Sequence, residues 1–305
     1  MKTSTTSNWR PLSRAFFQCL IAVAVLWAAP RNAEAQLYIL QSPPFSGALG
    51  SVSEYTSTGK VINANFITGL QNPTCFVVSD NILFVAYLAG PSDIGTVGKY
   101  DATTGGAINA GFITGLVNPI GLAVNGNNLL VTYAVDPGTV GEYNATTGAV
   151  ISANFITGLT TPTGLALLRT RLFVTTEKLI SGRLVDTVGK YDASTGAAIN
   201  STFIRRGNVI AASGNTLFGR DRAHAVGEYD ATTGAVINAN FITGLKKDAG
   251  ALALAGNGVF VANFLSGTVG EYDASTGAVI NANFITGAEL PPGNRRQEHK
   301  IALTA

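Results

Sequence analysis

The stretch Gly267–Gly287, GTVGEYDASTGAVINANFITG, recurs in six versions along the 305 residues of this chain. Their tyrosines, Tyr55, Tyr100, Tyr143, Tyr191, Tyr229 and Tyr272, stand 45, 43, 48, 38 and 43 residues apart. Units of that length built from short Val-, Ile-, Phe- and Tyr-rich runs are the signature of β-propeller blades. The last unit offers four strand candidates, Ala251–Ala255, Val259–Phe264, Thr268–Asp273 and Ala278–Ile285. Gly, Asn and Asp interrupt the runs so often that no helical period survives. The expected fold is all-β: a six-bladed β-propeller with four antiparallel strands per blade, one domain over residues 36–305 in six repeats of about 43 residues.

The two ends of the array are incomplete in complementary ways. The first unit has Leu37–Leu40, Val52–Tyr55 and Val61–Ile67 but no innermost strand, whereas Lys300–Thr304 (KIALT) reads as an innermost strand with no successor. The N- and C-terminal segments are therefore expected to share one blade, which would leave no open sheet edge in the ring. Residues 289–299 (ELPPGNRRQEH) form a longer, more polar and irregular connection to that last strand.

Residues 1–35 read as a signal peptide. Lys2, Arg10 and Arg14 precede the apolar run Ala15–Ala29, and Ala33-Glu34-Ala35 supplies a small-x-small cleavage site. Cleavage after Ala35 would make the chain secreted or periplasmic, with no membrane span remaining, and would lower its formal charge from +2 to −1. Without clustered Lys and Arg on aromatic platforms, no nucleic-acid partner is expected. Cys19 would leave with the leader, so Cys75 could form no internal disulfide and is expected to be a buried structural thiol.

The faithful parts of the repeat have structural explanations. Asp101, Asp192, Asp230 and Asp273 open Asp-Ala-Thr/Ser-Thr-Gly turns, with Asn144 and Thr56 as variants. A short acidic side chain there can accept backbone N–H groups two and three residues on. Each turn offers a single carboxylate, whereas calcium takes roughly six to eight oxygens. Tyr100, Tyr143, Tyr191, Tyr229 and Tyr272, with Phe112, Phe155, Phe203, Phe241 and Phe284, are expected to pack neighbouring blades together.

Function is expected where the repeat varies. In this strand order the connections from second to third strand share a face with those from one blade to the next. Those second-to-third connections are Leu88–Ile94, Ala134–Pro137, Glu177–Asp186, Arg220–Ala225 and Leu265–Ser266. The unit Thr187–Ala225 departs most: ITGL becomes Ile204-Arg205-Arg206-Gly207, and its second strand runs into Arg220-Asp221-Arg222-Ala223-His224. Arg205, Arg206, Arg220, Asp221, Arg222 and His224 are the candidate ligand-binding residues. Guanidinium groups suit carboxylate or phosphate because their planar forks donate paired hydrogen bonds. A decayed repeat with merely solvated charges gives the same pattern. Catalysis has little to rest on: His224 and His299 are the two histidines, and no nucleophile–base constellation or zinc-ligand spacing is present.

LFVAYLAG…TVGKYD (83–101), NPIGLAV (118–124) and VFVANFLSGTVGEYD (259–273) resemble the bacterial NHL-type and YVTN-type β-propeller repeats, over nearly all of residues 37–288. The resemblance implies an exported propeller and specifies no ligand. The leading expectation is a non-catalytic binding or protein-interaction scaffold whose partner is a protein or a small anionic or carbohydrate ligand. It requires no cofactor. The competing expectation is a propeller hydrolase or lyase, lactonase-like, with a divalent cation such as calcium in the central funnel; fold analogy alone suggests it.

Overall fold

The computed structural model describes residues 36–42, 49–88, 94–180, 183–205, 210–220, 225–245, 249–263, 267–286 and 300–304. These residues form 24 strands in six four-stranded antiparallel sheets. The second blade is β4 (Pro73–Ser79), β5 (Ile82–Leu88), β6 (Ile94–Asp101) and β7 (Ala107–Val117), numbered from the axis outward with β1–β3 reserved for the first. The third is β8 (Pro119–Asn125), β9 (Asn128–Tyr133), β10 (Gly138–Asn144) and β11 (Val150–Leu159). The fourth is β12 (Pro162–Leu168), β13 (Arg171–Ile180), β14 (Arg183–Asp192) and β15 (Ala198–Arg205). The fifth is β16 (Ile210–Ser213), β17 (Thr216–Arg220), β18 (Val226–Asp230) and β19 (Val236–Ile242). The sixth is β20 (Ala249–Ala255), β21 (Gly258–Asn263), β22 (Thr268–Asp273) and β23 (Val279–Ile285).

The first blade contains β1 (Gln36–Ser42), β2 (Leu49–Thr56) and β3 (Val61–Gln71), and its innermost place is filled by β24 (Lys300–Thr304). β24 runs antiparallel to β1, in a register that extends from Tyr38↔Thr304 to Ser42↔Lys300. Each innermost strand neighbours the innermost strands on either side, β24 lying between β20 and β4, so the ring is closed. The shared blade read from the sequence is therefore present.

One local expectation needs correction. Glu177–Asp186 is not a loop: β13 and β14 pair without a break from Arg171↔Asp192 to Ile180↔Arg183. No Gly or Pro interrupts Arg171–Ile180, and its side chains alternate without a slip, so the ladder simply continues. The outermost strand is largely exposed. Val279–Asn283 is exposed and only Phe284 and Ile285 are buried, a pattern shared by β19. The ladder slips between Glu271↔Asn281 and Val269↔Ile285, and Asn281 Oδ1 accepts the Asn283 N–H within the slip. The strand bulges away from its partner there, so Val279 and Ile280 face water.

The hydrophobic core lies between the sheets. The tyrosine of each third strand faces the preceding blade, and the phenylalanine of each fourth strand faces the following one. Tyr143 thus packs with Phe112, Tyr229 with Phe203, Tyr272 with Phe241, and Tyr55 with Phe284. In five of the six blades the glycine two residues before the tyrosine makes room for its ring, and Ser53 stands in that place before Tyr55: a Cβ on Gly270 would lie 2.9 Å from the Tyr272 ring. Polar staples cross the same seams. In four of the turns the alanine carbonyl accepts a hydrogen bond from the blade before it. Tyr38 Oη donates to Ala102, Lys99 Nζ to Ala145, Asn125 Nδ2 to Ala193 and Lys190 Nζ to Ala231. Burial pushes the Tyr38 hydroxyl well above the usual phenol range, which keeps it a donor at every physiological pH.

Candidate functional site

The recurring aspartates are saturated within their own blades. Asp273 Oδ1 accepts the N–H groups of Ser275 and Thr276 and the Thr276 hydroxyl, at 2.8–2.9 Å. Its other oxygen accepts Asn257 Nδ2 from the hairpin between the first two strands, at 2.7 Å. Asp101 and Asp230 repeat this with Asn81 and Asn215. In the fourth blade Thr170 stands in place of that asparagine, and Arg171 Nη1 donates to Asp192 instead, at 3.1 Å. The Ser194 hydroxyl and N–H draw Asp192 down to about 2. The Thr104 N–H, the Thr233 N–H and the Thr276 hydroxyl lead the lowering at Asp101, Asp230 and Asp273. Asn144 fills the same role uncharged, with Oδ1 accepting Thr146 N–H, Thr147 N–H and the Thr147 hydroxyl.

On the variable rim, Arg206, Asp221, Arg222 and His224 lie outside the described residues. Arg205 and Arg220 lie within them and project from different faces. Arg205 pairs with Thr187, one residue beyond Ile204↔Val188, and Ile204 belongs to the core between the fourth and fifth blades. Arg205 therefore points to the opposite side of its sheet and is exposed. Arg220 pairs with Val226, which belongs to the core between the fifth and sixth blades. On the sixth blade, buried Asn263 Nδ2 donates to Thr268 Oγ1 at 3.3 Å where β21 ends and β22 begins.

Comparison of the six blades isolates Arg220. Its counterparts, each paired with the valine of the third strand, are Leu40, Ala86, Thr132, Thr175 and Ala262. All five are buried, whereas Arg220 is half-buried. A guanidinium stands where the fold otherwise uses a small or apolar side chain.

The sequence reading missed a second polar group on the other side of the fifth blade. Glu177 and Asp186 sit directly opposite each other on β13 and β14, and both are buried. They share a sheet face with Thr175, Val188 and Phe173, the face that packs on Leu217 and Tyr229 of the fifth blade. The signal was present in the alternation Phe173, Thr175, Glu177; it was obscured because the segment resembled a variable loop. Thr132, Thr163 and Thr175 are buried near the axis, and their Oγ1 atoms have no hydrogen-bond partner. Among the described residues no three His, Cys, Asp or Glu side chains cluster as metal ligands, and Cys75 is a buried free thiol. No helix among them is long and apolar enough to cross a membrane.

No known protein family and no curated protein matches the chain. Among solved structures, a chain of the nidogen/laminin complex matches with a TM-score of 0.63 at 12% identity, covering 88% of this chain and 98% of that one. The likeness is one of fold. The computationally designed Ika8 protein also matches, with a TM-score of 0.46 at 16% identity over 86% of this chain and 74% of its own. The propeller is therefore an architecture that this chain shares with the nidogen/laminin-complex chain at almost unrelated sequence.

Proposed function

We propose that this chain is an exported, non-catalytic β-propeller of the NHL- and YVTN-like repeat type that captures an anionic ligand or an anionic protein surface on the rim of its fifth blade. The observation that supports the reading is Arg220, a cation in the place of Leu40, Ala86, Thr132, Thr175 and Ala262. Next to a low-dielectric seam it offers a planar fork that water screens poorly, the setting in which carboxylate and phosphate are held best. Export rests on the basic, apolar and small-x-small order of residues 1–35.

The test is titration of the purified chain with inorganic phosphate and with succinate, read by calorimetry and by thermal shift at low and high salt. Saturable heat that weakens with salt and disappears in Arg220→Ala, with that variant still showing a cooperative thermal transition, supports the reading. Equal heats from the parent chain and Arg220→Ala overturn it.

A further inference from the structure

Five of the six innermost strands are tied to their own blade by a two-residue turn, as β20 is to β21 through Gly256 and Asn257. β24 is not. It reaches the first blade from β23 through residues 286–299, a step that β3→β4 and β7→β8 make with Asn72 and Asn118 alone. Fourteen residues could span roughly 45 Å when extended. The closing strand is thus held to the rest of the ring by a connection much longer than the step demands.

The place that β24 fills is a specific one. The edge of β1 facing the axis presents the backbone groups of Tyr38–Ser42, and β2 already occupies the other edge. Those groups need an antiparallel partner strand. The ring itself does not depend on that strand alone. Phe284 and Ile285 of the sixth blade pack with Tyr55 of the first, and a Cβ on Gly59 would strike the Phe284 carbonyl, so the outer part of the seam closes independently.

We propose that the inner place of the first blade is a strand-acceptor site, and that β24 of a second copy of this chain occupies it in exchange for the chain's own. The incoming segment is identical to the one it replaces, so it offers the same register and the same neighbours in β20 and β4. Concentration decides between the two. A tether of this length holds the chain's own strand at an effective concentration on the order of millimolar. Exchange therefore appears when chains fold together near that concentration and vanishes in dilute solution. The contact is head-to-tail, so it yields closed rings of subunits or open chains.

Gln41 and Ile301 are Cα partners in the β1–β24 register, and Gln41 is only half-buried. In a chain carrying Cys19→Ser and Cys75→Ala, two single variants are prepared, Gln41→Cys and Ile301→Cys. They are mixed, unfolded, refolded together at about 10 µM and at about 1 mM, and oxidised. A disulfide joining the two different chains at the higher concentration and absent at the lower is the expected result. The doubly substituted chain should close on itself when dilute, which checks that cysteines here still permit folding. Light scattering of the unmodified chain refolded at the higher concentration provides a second reading: dimers or larger species that Ala302→Pro abolishes, since proline removes a ladder donor from β24. Absence of the mixed disulfide where the double variant closes, or assemblies that persist in Ala302→Pro, would overturn the proposal.

Discussion

Gly59 and Phe284 join the first blade to the last. Gly59 has φ of 80°, and a Cβ there would penetrate the van der Waals shell of the Phe284 carbonyl oxygen. The equivalent turn glycine of every other blade meets the preceding blade in the same way, as Gly277 meets Phe241. Where the array begins and ends, the ring is thus held by the same contact as elsewhere.

Gly59→Ala measures that contact. Gly69 has nearly the same φ, 79°, and nothing within 4 Å of its would-be Cβ. Gly69→Ala should cost about 1–2 kcal/mol, the left-handed backbone penalty alone. Gly59→Ala should cost more by a further ~1–3 kcal/mol because the neighbour is rigid backbone. Equilibrium urea unfolding of both variants reads the difference; equal costs would show that the first and sixth blades do not meet there.

Lys190 staples the fourth blade to the fifth through the Ala231 and Thr232 carbonyls, both at 2.9 Å, with its ammonium 4.6 Å from the Phe203 ring centre. Lys190→Met keeps most of the volume and removes the donors. A loss of about 2 kcal/mol is expected, the usual worth of charged hydrogen bonds. The same unfolding experiment checks it.

Acid should act through the turns. Asp101, Asp192, Asp230 and Asp273 have lowered pKa values, so their contribution is complete above the ordinary carboxylate range and is lost as pH falls toward the folded values, about 2 for Asp192. Glu54 and Glu271 run the other way. Burial raises both, so ionising them costs stability as pH climbs out of the ordinary carboxylate range. Melting temperature should peak at mildly acidic pH and fall on both sides. Converting the four aspartates to asparagine should flatten the acid limb while leaving the turns intact, as Asn144 already does, and Glu54→Gln should reduce the fall toward neutrality.

Thr132 is fully buried with an unpartnered Oγ1. Thr132→Val keeps the shape and removes an unsatisfied hydroxyl, so a gain of about 1 kcal/mol is expected in thermal or urea unfolding. A loss instead would reveal an ordered water bridging the hydroxyl to the axis.

The repeat made the ring legible because strand spacing, turn chemistry and the Tyr–Phe pair all follow from period and composition. The sidedness of those anchors was not legible. A tyrosine and a phenylalanine in one unit look like partners, yet they lie on opposite faces, and each finds its true partner one blade away. The apolar VI of VINAN carries no sign of its exposure, which comes with the ladder slip around Asn281. Glu177 and Asp186 resembled a charged loop, since a sequence does not reveal how far a hairpin extends. Arg220 drew attention for its charge, whereas its distinction lies in the buried row it interrupts, which only the strand register aligns.

The antiparallel pairing of β1 with β24 also sets how the ring would bear tension. Tyr38 faces Thr304 and Ser42 faces Lys300, so Gln36 and Thr304 leave the sheet at the same end. A pull between them loads the Tyr38–Thr304 rung first and the others in turn, as a zipper opens. Sliding the whole ladder at once would need force applied at opposite ends. The ring therefore resists heat and solvent through its seams, but stretched from these two points it should open at low force, shedding its innermost strand before any other.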